Sequence, residues 1–201
     1  MRLVLISPPQ AVANETHLAS ELLDQGLARF HVRKPTWSRA EVTAYLADLP
    51  AHHYPRLVLH SHHSLAAELG LGGVHLTAAS RHRGPRPTLQ PGQTLSTSFH
   101  TLAEIRQHRR RYDYVFLSPI FDSLSKSDYP AAFTLTEITA ALGQLRRRAG
   151  YAPQVLALGG VEAARLPAVQ QAGFAGAAVL GAVWQSPDPV AAFRELQSII
   201  G

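Results

Sequence analysis

The chain contains no cysteine, which removes disulfides, thiolate nucleophiles, cysteine-ligated zinc and iron–sulfur clusters from the chemistry open to it. It also lacks any apolar run approaching the about 20 residues that cross a bilayer. Met1-Arg2 leads straight into a strand-like segment with no cleavable signal, so a cytoplasmic protein with no membrane partner is expected. Lysine is scarce, with Lys34 and Lys126 standing alone among nineteen Lys and Arg residues. The formal net charge of +5 invites a nucleic-acid reading. The distribution argues against it. Arg106, Arg109, Arg110 and Arg111, like Arg146, Arg147 and Arg148, fall at the ends of predicted helices, where cations complement the helix dipole.

What is present is a hydrophobic fraction of 46% in 201 residues, enough to bury one large core without staples. Short apolar runs alternate with amphipathic segments. Leu3-Val4-Leu5-Ile6 reads as a first strand broken by Pro8-Pro9, followed by a helix that Asn14 is placed to cap and Gly26 to stop. Phe30-His31-Val32-Arg33, Leu57-Val58-Leu59-His60, Gly72 to Thr77, Gln93 to Ser98 and Tyr114-Val115-Phe116-Leu117 follow as strands two to six. Capping boxes at Ser38-x-x-Glu41, Thr101-x-x-Glu104 and Thr134-x-x-Glu137 open helices between them. Residues 78–92 carry three prolines and no helical period, which predicts a loop with at most one helical turn. Asp188-Pro189 opens the last helix.

Val155 to Val161 and Gly176 to Gly181 supply strands seven and eight, and each apolar run stops abruptly in glycine. Buried parallel strands end this way when backbone must approach something closely. Bare N–H groups at strand-to-helix turns make an anion site, and barrels of alternating strands and helices often hold phosphate after strands seven and eight. Eight strand–helix repeats at intervals of about twenty-five residues predict an α/β fold, a single-domain (β/α)8 TIM barrel over residues 1–201. A doubly wound open sheet is the structural alternative, but its Gly-x-Gly-x-x-Gly after strand one is missing.

In such a barrel His31, Arg33, His60, His75, His100, Ser118, Lys126 and the glycines end or follow strands, and so are expected at one mouth. His60, His62 and His63 suggest metal binding by composition. With no acidic partner nearby, they read as a polar loop, and no metal ligand is assigned. A metal-dependent hydrolase is disfavoured because strand one has no His-x-His and no bridging Asp is in place.

The sequence resembles the thiamine phosphate synthases and the related TenI-type thiazole tautomerases nearly end to end. The resemblance is carried by Phe30-His31-Val32-Arg33, Gly73-Val74-His75-Leu76, Ser98-Phe99-His100-Thr101-Leu102-Ala103-Glu104, Asp113 to Phe121 and both glycine stretches. It implies a small-molecule partner, a thiazole phosphate, held by backbone near Gly159, Gly160, Leu180 and Gly181. Substrate contacts would come from His31, Arg33, His60, His75, Ser98 and Ser118. It also implies that Ser123, Ser125 and Lys126 match the Thr-x-Thr-Lys segment with which the synthases hold pyrophosphate, and it suggests a homodimer.

The departures bear on activity. Where synthases of this family carry Asn-Asp after strand three and a further Asp after strand four to hold Mg2+, this chain reads His60-Ser61 and Thr77-Ala78-Ala79-Ser80. Neutral hydroxyls and imidazoles are poor Mg2+ ligands. The tautomerases carry His and Arg in the His31 and Arg33 places and use a histidine at the His100 place for proton transfer. Proton transfer needs only an imidazole, whose ordinary pKa of ~6.5 suits it to neutral pH. The sequence therefore favours a tautomerase with His100 as catalytic proton shuttle and no cofactor. A thiamine phosphate synthase, which would need Mg2+, is the alternative, and a non-catalytic thiazole-phosphate-binding protein is the reading from another class.

Overall fold

The computed structural model describes residues 1–83, 87–108, 110–122 and 133–201. Its elements are β1 (Arg2–Ile6), α1 (Glu15–Asp24), β2 (Arg29–Val32), α2 (Arg39–Ala47), β3 (Leu57–Leu59), α3 (Ser64–Leu69), β4 (Gly73–Leu76), α4 (Ala78–Arg83) and β5 (Thr94–Phe99). They continue with α5 (Leu102–Gln107), β6 (Tyr114–Leu117), α6 (Leu135–Arg146), β7 (Gln154–Leu158), α7 (Leu166–Ala172), β8 (Gly176–Val179), α8 (Gly181–Trp184) and α9 (Pro189–Ile200). The strands follow one another in chain order around a closed barrel, the (β/α)8 TIM architecture that the alternating pattern predicts.

The chain divides into two compact units, Val4–Ser96 and Met1–Leu3 with Thr97–Gly201. In the first, β1, β2, β3 and β4 pair in parallel, with His31 opposite Val58 and Val58 opposite Gly73. Leu5, Phe30, Leu57 and Leu59 are fully buried strand residues, and Leu22, Leu23 and Leu46 turn inward from α1 and α2. Each such side chain contributes about 1.5–3 kcal/mol on burial. In the second unit β6, β7 and β8 pair in parallel, and Tyr114, Phe116, Leu156 and Phe193 are among its fully buried side chains.

The three capping boxes form as the sequence predicts, each hydroxyl accepting from the third helical N–H while the glutamate accepts from the cap's own N–H. Asp188 caps α9 through Ala191 N–H. Asn14 does not cap α1. It sits in the left-handed region at φ 57 without a side-chain cap bond, and the neighbouring Glu15 is drawn inward to Lys34 and Tyr45 instead. The segment after Thr77 is more ordered than its prolines suggest, because Ala78–Arg83 precedes them and forms a six-residue helix. A 3-10 helix at Ala51–Arg56, preceded by Pro50 and containing Pro55, was not legible in the periodicity. Among the described residues, no helix is long and apolar enough to cross a membrane.

Candidate active site

The predicted site residues fall into two groups, one in each compact unit. In Val4–Ser96 the register decides which side chains meet. His60 lies two residues beyond Val58, and His75 two beyond Gly73, so the strand period of two puts both on the face that His31 occupies. The result is a cluster of three imidazoles. His31 Nδ1 is 2.9 Å from His60 Nε2, and the His60 and His75 rings stack with centroids 4.1 Å apart. His31 meets His75 edge to face at 5.5 Å.

All three are buried. Burial therefore dominates their titration, with neighbouring charge second. His31 is held well below the ordinary histidine range by desolvation, then by His75 and Arg29. His60 is lowered for the same first reason, reinforced by His75, His31 and Arg33. His75 is pushed down to about 3 by desolvation, then by His63, Arg33 and Arg81. The trio is neutral at physiological pH, and each ring keeps one nitrogen lone pair.

Ser96, which the sequence analysis did not single out, fixes one of the tautomers. Its hydroxyl donates to the Val74 carbonyl at 3.4 Å, so its oxygen accepts from His75 Nδ1–H at 2.9 Å, and the His75 lone pair is on Nε2. The hydroxyl residues at 94, 96 and 98 share one face of β5, and that alternation was the available signal.

Arg33 follows β2 and is half-buried. Its N–H donates to Ser7 Oγ at 2.7 Å, and the Ser7 hydroxyl donates to the Arg33 carbonyl at 3.3 Å. Lys34, conspicuous as one of two lysines, is a structural residue. Its Nζ is fully buried and donates to Glu15 Oε2 at 2.6 Å, Pro8 O at 2.8 Å and Gln10 O at 3.0 Å, so every proton of the ammonium has an acceptor. Tyr45 completes the set by donating to Glu15 Oε1 at 2.7 Å. His62 and His63 are polar loop residues, as expected, donating from Nε2 to the Trp37 and His75 carbonyls, whereas His60, read with them as part of a polar loop, is buried between His31 and His75.

The Mg2+ that the family resemblance implies does not fit this unit. Thr77 and Ser80 spend their hydroxyls on one another and on the local backbone in a turn at the start of α4, and imidazole stands where hard oxygen is required. No carboxylate belongs to the trio.

The second group lies in Thr97–Gly201. His100 is exposed immediately after β5, and its backbone N–H donates to Glu104 Oε2 at 2.8 Å. Its Nδ1 is 3.0 Å from the Ser118 carbonyl. A carbonyl only accepts, so the proton is on Nδ1 and the neutral ring presents a basic Nε2. Ser98 and Ser118 are half-buried at the ends of β5 and β6.

After β7, Gly159 and Gly160 take φ values of 93 and 63. A Cβ would stand 2.9 Å from Pro119 Cα at the first and 2.4 Å from the Asp122 carbonyl oxygen at the second, so both positions demand glycine. Arg165, missed in the sequence, braces this turn by donating to Gly160 O at 2.9 Å and Asp122 O at 3.1 Å. Leu180 and Gly181 follow β8 as predicted, but the helix opened by Gly181 has four residues, too short for a substantial dipole. Ser123, Ser125 and Lys126 lie outside the described residues.

The chain as a whole is similar to known proteins. The profile of a family described as thiamine monophosphate synthase matches residues 3–183. A thiamine-phosphate synthase of Bacteroides fragilis is 30% identical over 145 residues, 71% of either chain. Another from Synechococcus sp. is 27% identical over 99% of this chain and 57% of its own length. A crystal structure of a thiamine phosphate pyrophosphorylase from Bacteroides thetaiotaomicron superposes with a TM-score of 0.81 at 28% identity, covering 100% of this chain and 98% of that one. The chain thus belongs to the thiamine monophosphate synthase family, a family of enzymes.

Proposed function

We propose that the chain is a thiamine-pathway enzyme that binds a thiazole phosphate and joins it to hydroxymethylpyrimidine pyrophosphate, the thiamine phosphate synthase reaction. The names of its relatives support coupling over the tautomerisation that the sequence alone favours. Geometrically, the reading is supported by the Gly159-Gly160 turn at the end of β7, where two left-handed glycines turn the backbone sharply while packed against Pro119 and Asp122. A phosphate ester is the ligand suited to such a turn. In this reading Arg33, and Lys126 by its sequence match, supply cationic charge toward the pyrophosphate leaving group in place of the Mg2+ that the Val4–Ser96 unit does not fit.

A second reading, the metal-independent tautomerase, is favoured by one observation. His100 is fixed by Ser118 with Nε2 basic, while the places of the Mg2+ ligands hold no carboxylate. Incubating purified protein with thiazole phosphate and the pyrimidine pyrophosphate, then with thiazole phosphate tautomers alone, separates the two. Formation of thiamine phosphate is expected. Tautomer interconversion without coupling overturns the proposal in favour of the second reading, and tight thiazole phosphate binding with neither reaction overturns both in favour of a non-catalytic binding protein.

A further inference from the structure

We propose that His31, His60 and His75 form a binding site for a divalent transition metal of the zinc type, held by three imidazole nitrogens with a coordination position left for an anionic oxygen. One nitrogen from each ring lies within 4.8 Å of the other two. The inference concerns the Val4–Ser96 unit and holds under either reading of the reaction.

The donor set selects the metal. Three nitrogens and no carboxylate suit zinc-type ions and exclude Mg2+ and Ca2+, which require oxygen. Three protein ligands with a fourth position open are the pattern of zinc sites that take up an external ligand. Zinc–nitrogen bonds of about 2.0–2.1 Å in a tetrahedron separate the nitrogens by about 3.4 Å. His31 Nδ1 and His60 Nε2, at 2.9 Å, need only a slight opening. The remaining contraction is a rotation about side-chain bonds, in which the stacked His60 and His75 rings fan apart.

The scaffold is suited to the task. The rings project from β2, the end of β3 and β4, neighbouring strands whose register puts them on one face. The link from His75 Nδ1–H through Ser96 to the Val74 carbonyl is an outer support of the kind that orients ligating histidines and fixes their tautomer. Arg33, whose positive charge reaches both His60 and His75, adds to the charge of a metal ion. A doubly charged ion among neutral ligands beside a guanidinium draws a phosphate-type oxygen to the open position.

The test uses the full chain, stripped with chelator and titrated with ZnCl2 by calorimetry, with CoCl2 in parallel for its visible spectrum. One equivalent of Zn2+ is expected, and the bound Co2+ should show the intense visible bands of a low-coordinate nitrogen site. His31→Gln and His75→Gln should each abolish binding, and Ser96→Ala should weaken it about tenfold or more. Asp24, His52 and His53 form the other cluster of potential ligands among the described residues. His52→Ala should therefore leave the stoichiometry unchanged. Failure of the wild-type chain to bind Zn2+, or binding that survives both trio variants and disappears with His52→Ala, overturns the proposal. Should a trio variant not fold, nitrogen NMR of the wild-type imidazoles decides, since ligation shifts all three rings on adding Zn2+ and adventitious binding shifts none.

Discussion

His75 and Ser96 share a hydrogen bond of 2.9 Å between side chains that are both buried. Ser96→Ala leaves the His75 Nδ1–H without this acceptor at a buried position. An unsatisfied buried donor costs about 1–3 kcal/mol. Urea denaturation should show a loss in that range for Ser96→Ala, whereas Ser96→Thr, which keeps the hydroxyl, should lose less. Equal losses would mean that packing rather than the hydrogen bond is being measured.

The buried pair of Lys34 and Glu15 makes a sharper prediction. Removing one charge strands the other, at a cost of about 3–5 kcal/mol, while removing both leaves no charge to strand. Lys34→Met should therefore be markedly less stable than the double variant Lys34→Met/Glu15→Gln. Tyr45, which donates to Glu15, tempers the recovery but does not reverse the order. A double variant less stable than Lys34→Met by denaturant midpoint would refute the account.

These two relationships also mark the limit of what the sequence discloses. Strands such as Leu57-Val58-Leu59 and Tyr114-Val115-Phe116-Leu117 are legible because buried parallel strands are continuous apolar runs. The capping boxes at Ser38, Thr101 and Thr134 are legible because both partners lie three residues apart. Candidate residues at strand ends, His31, His60 and His75 among them, follow from the same local signals. Their assembly into one cluster does not, because it depends on His31 lying opposite Val58 and Val58 opposite Gly73. Ser96, Glu15 and Arg165 escaped for a related reason. Each is an ordinary polar residue until a partner distant in sequence gives it a role, and Asn14 shows the converse, a good local cap left unused.

The glycines at the candidate phosphate turn differ in what they tolerate. Gly160→Ala combines φ 63 with a Cβ only 2.4 Å from the Asp122 carbonyl oxygen, a backbone atom that cannot swing away. At Gly181 the nearest atom is Gln185 Oε1 at 3.1 Å, the far end of a flexible side chain. Gly160→Ala should lower the melting temperature and raise KM for thiazole phosphate, since the clash displaces the turn itself. Gly181→Ala should leave stability within about 0.5 kcal/mol, since the side chain it meets can swing away. Matching KM values in wild type and Gly160→Ala would remove this turn from substrate binding.

The histidine trio gives the chelator-treated protein a pH signature. Above the ordinary histidine pKa of ~6.5 the rings are neutral in both folded and unfolded chains and contribute no slope. As pH falls below it, the unfolded chain takes up protons that the buried rings refuse, His75 down to about 3. Stability is therefore lost as pH falls, at about 1.4 kcal/mol per pH unit for each such ring at most. Between about pH 6 and pH 4, His75→Gln should show a shallower decline in unfolding free energy than wild type. Parallel declines would indicate that His75 is protonated in the folded state.

His100 separates the two readings of the reaction. The Ser118 carbonyl receives its Nδ1–H at 3.0 Å, which leaves Nε2 as the basic atom, and the side chain is exposed after β5. A positioned base of this kind contributes about 100-fold to 10,000-fold to a proton-transfer step. His100→Asn offers an amide N–H to the same carbonyl but has no basic nitrogen, so it can keep the hydrogen bond while losing the proton acceptor. If thiazole tautomerisation is the activity, kcat should fall by about 100-fold or more in His100→Asn with KM little changed, and added imidazole should restore part of it. Coupling to the pyrimidine pyrophosphate makes no such demand on a base at His100. Under the proposed synthase function, thiamine phosphate formation should therefore survive in His100→Asn at a rate near wild type, and its collapse with rescue by imidazole would show that the coupling itself depends on a base at His100.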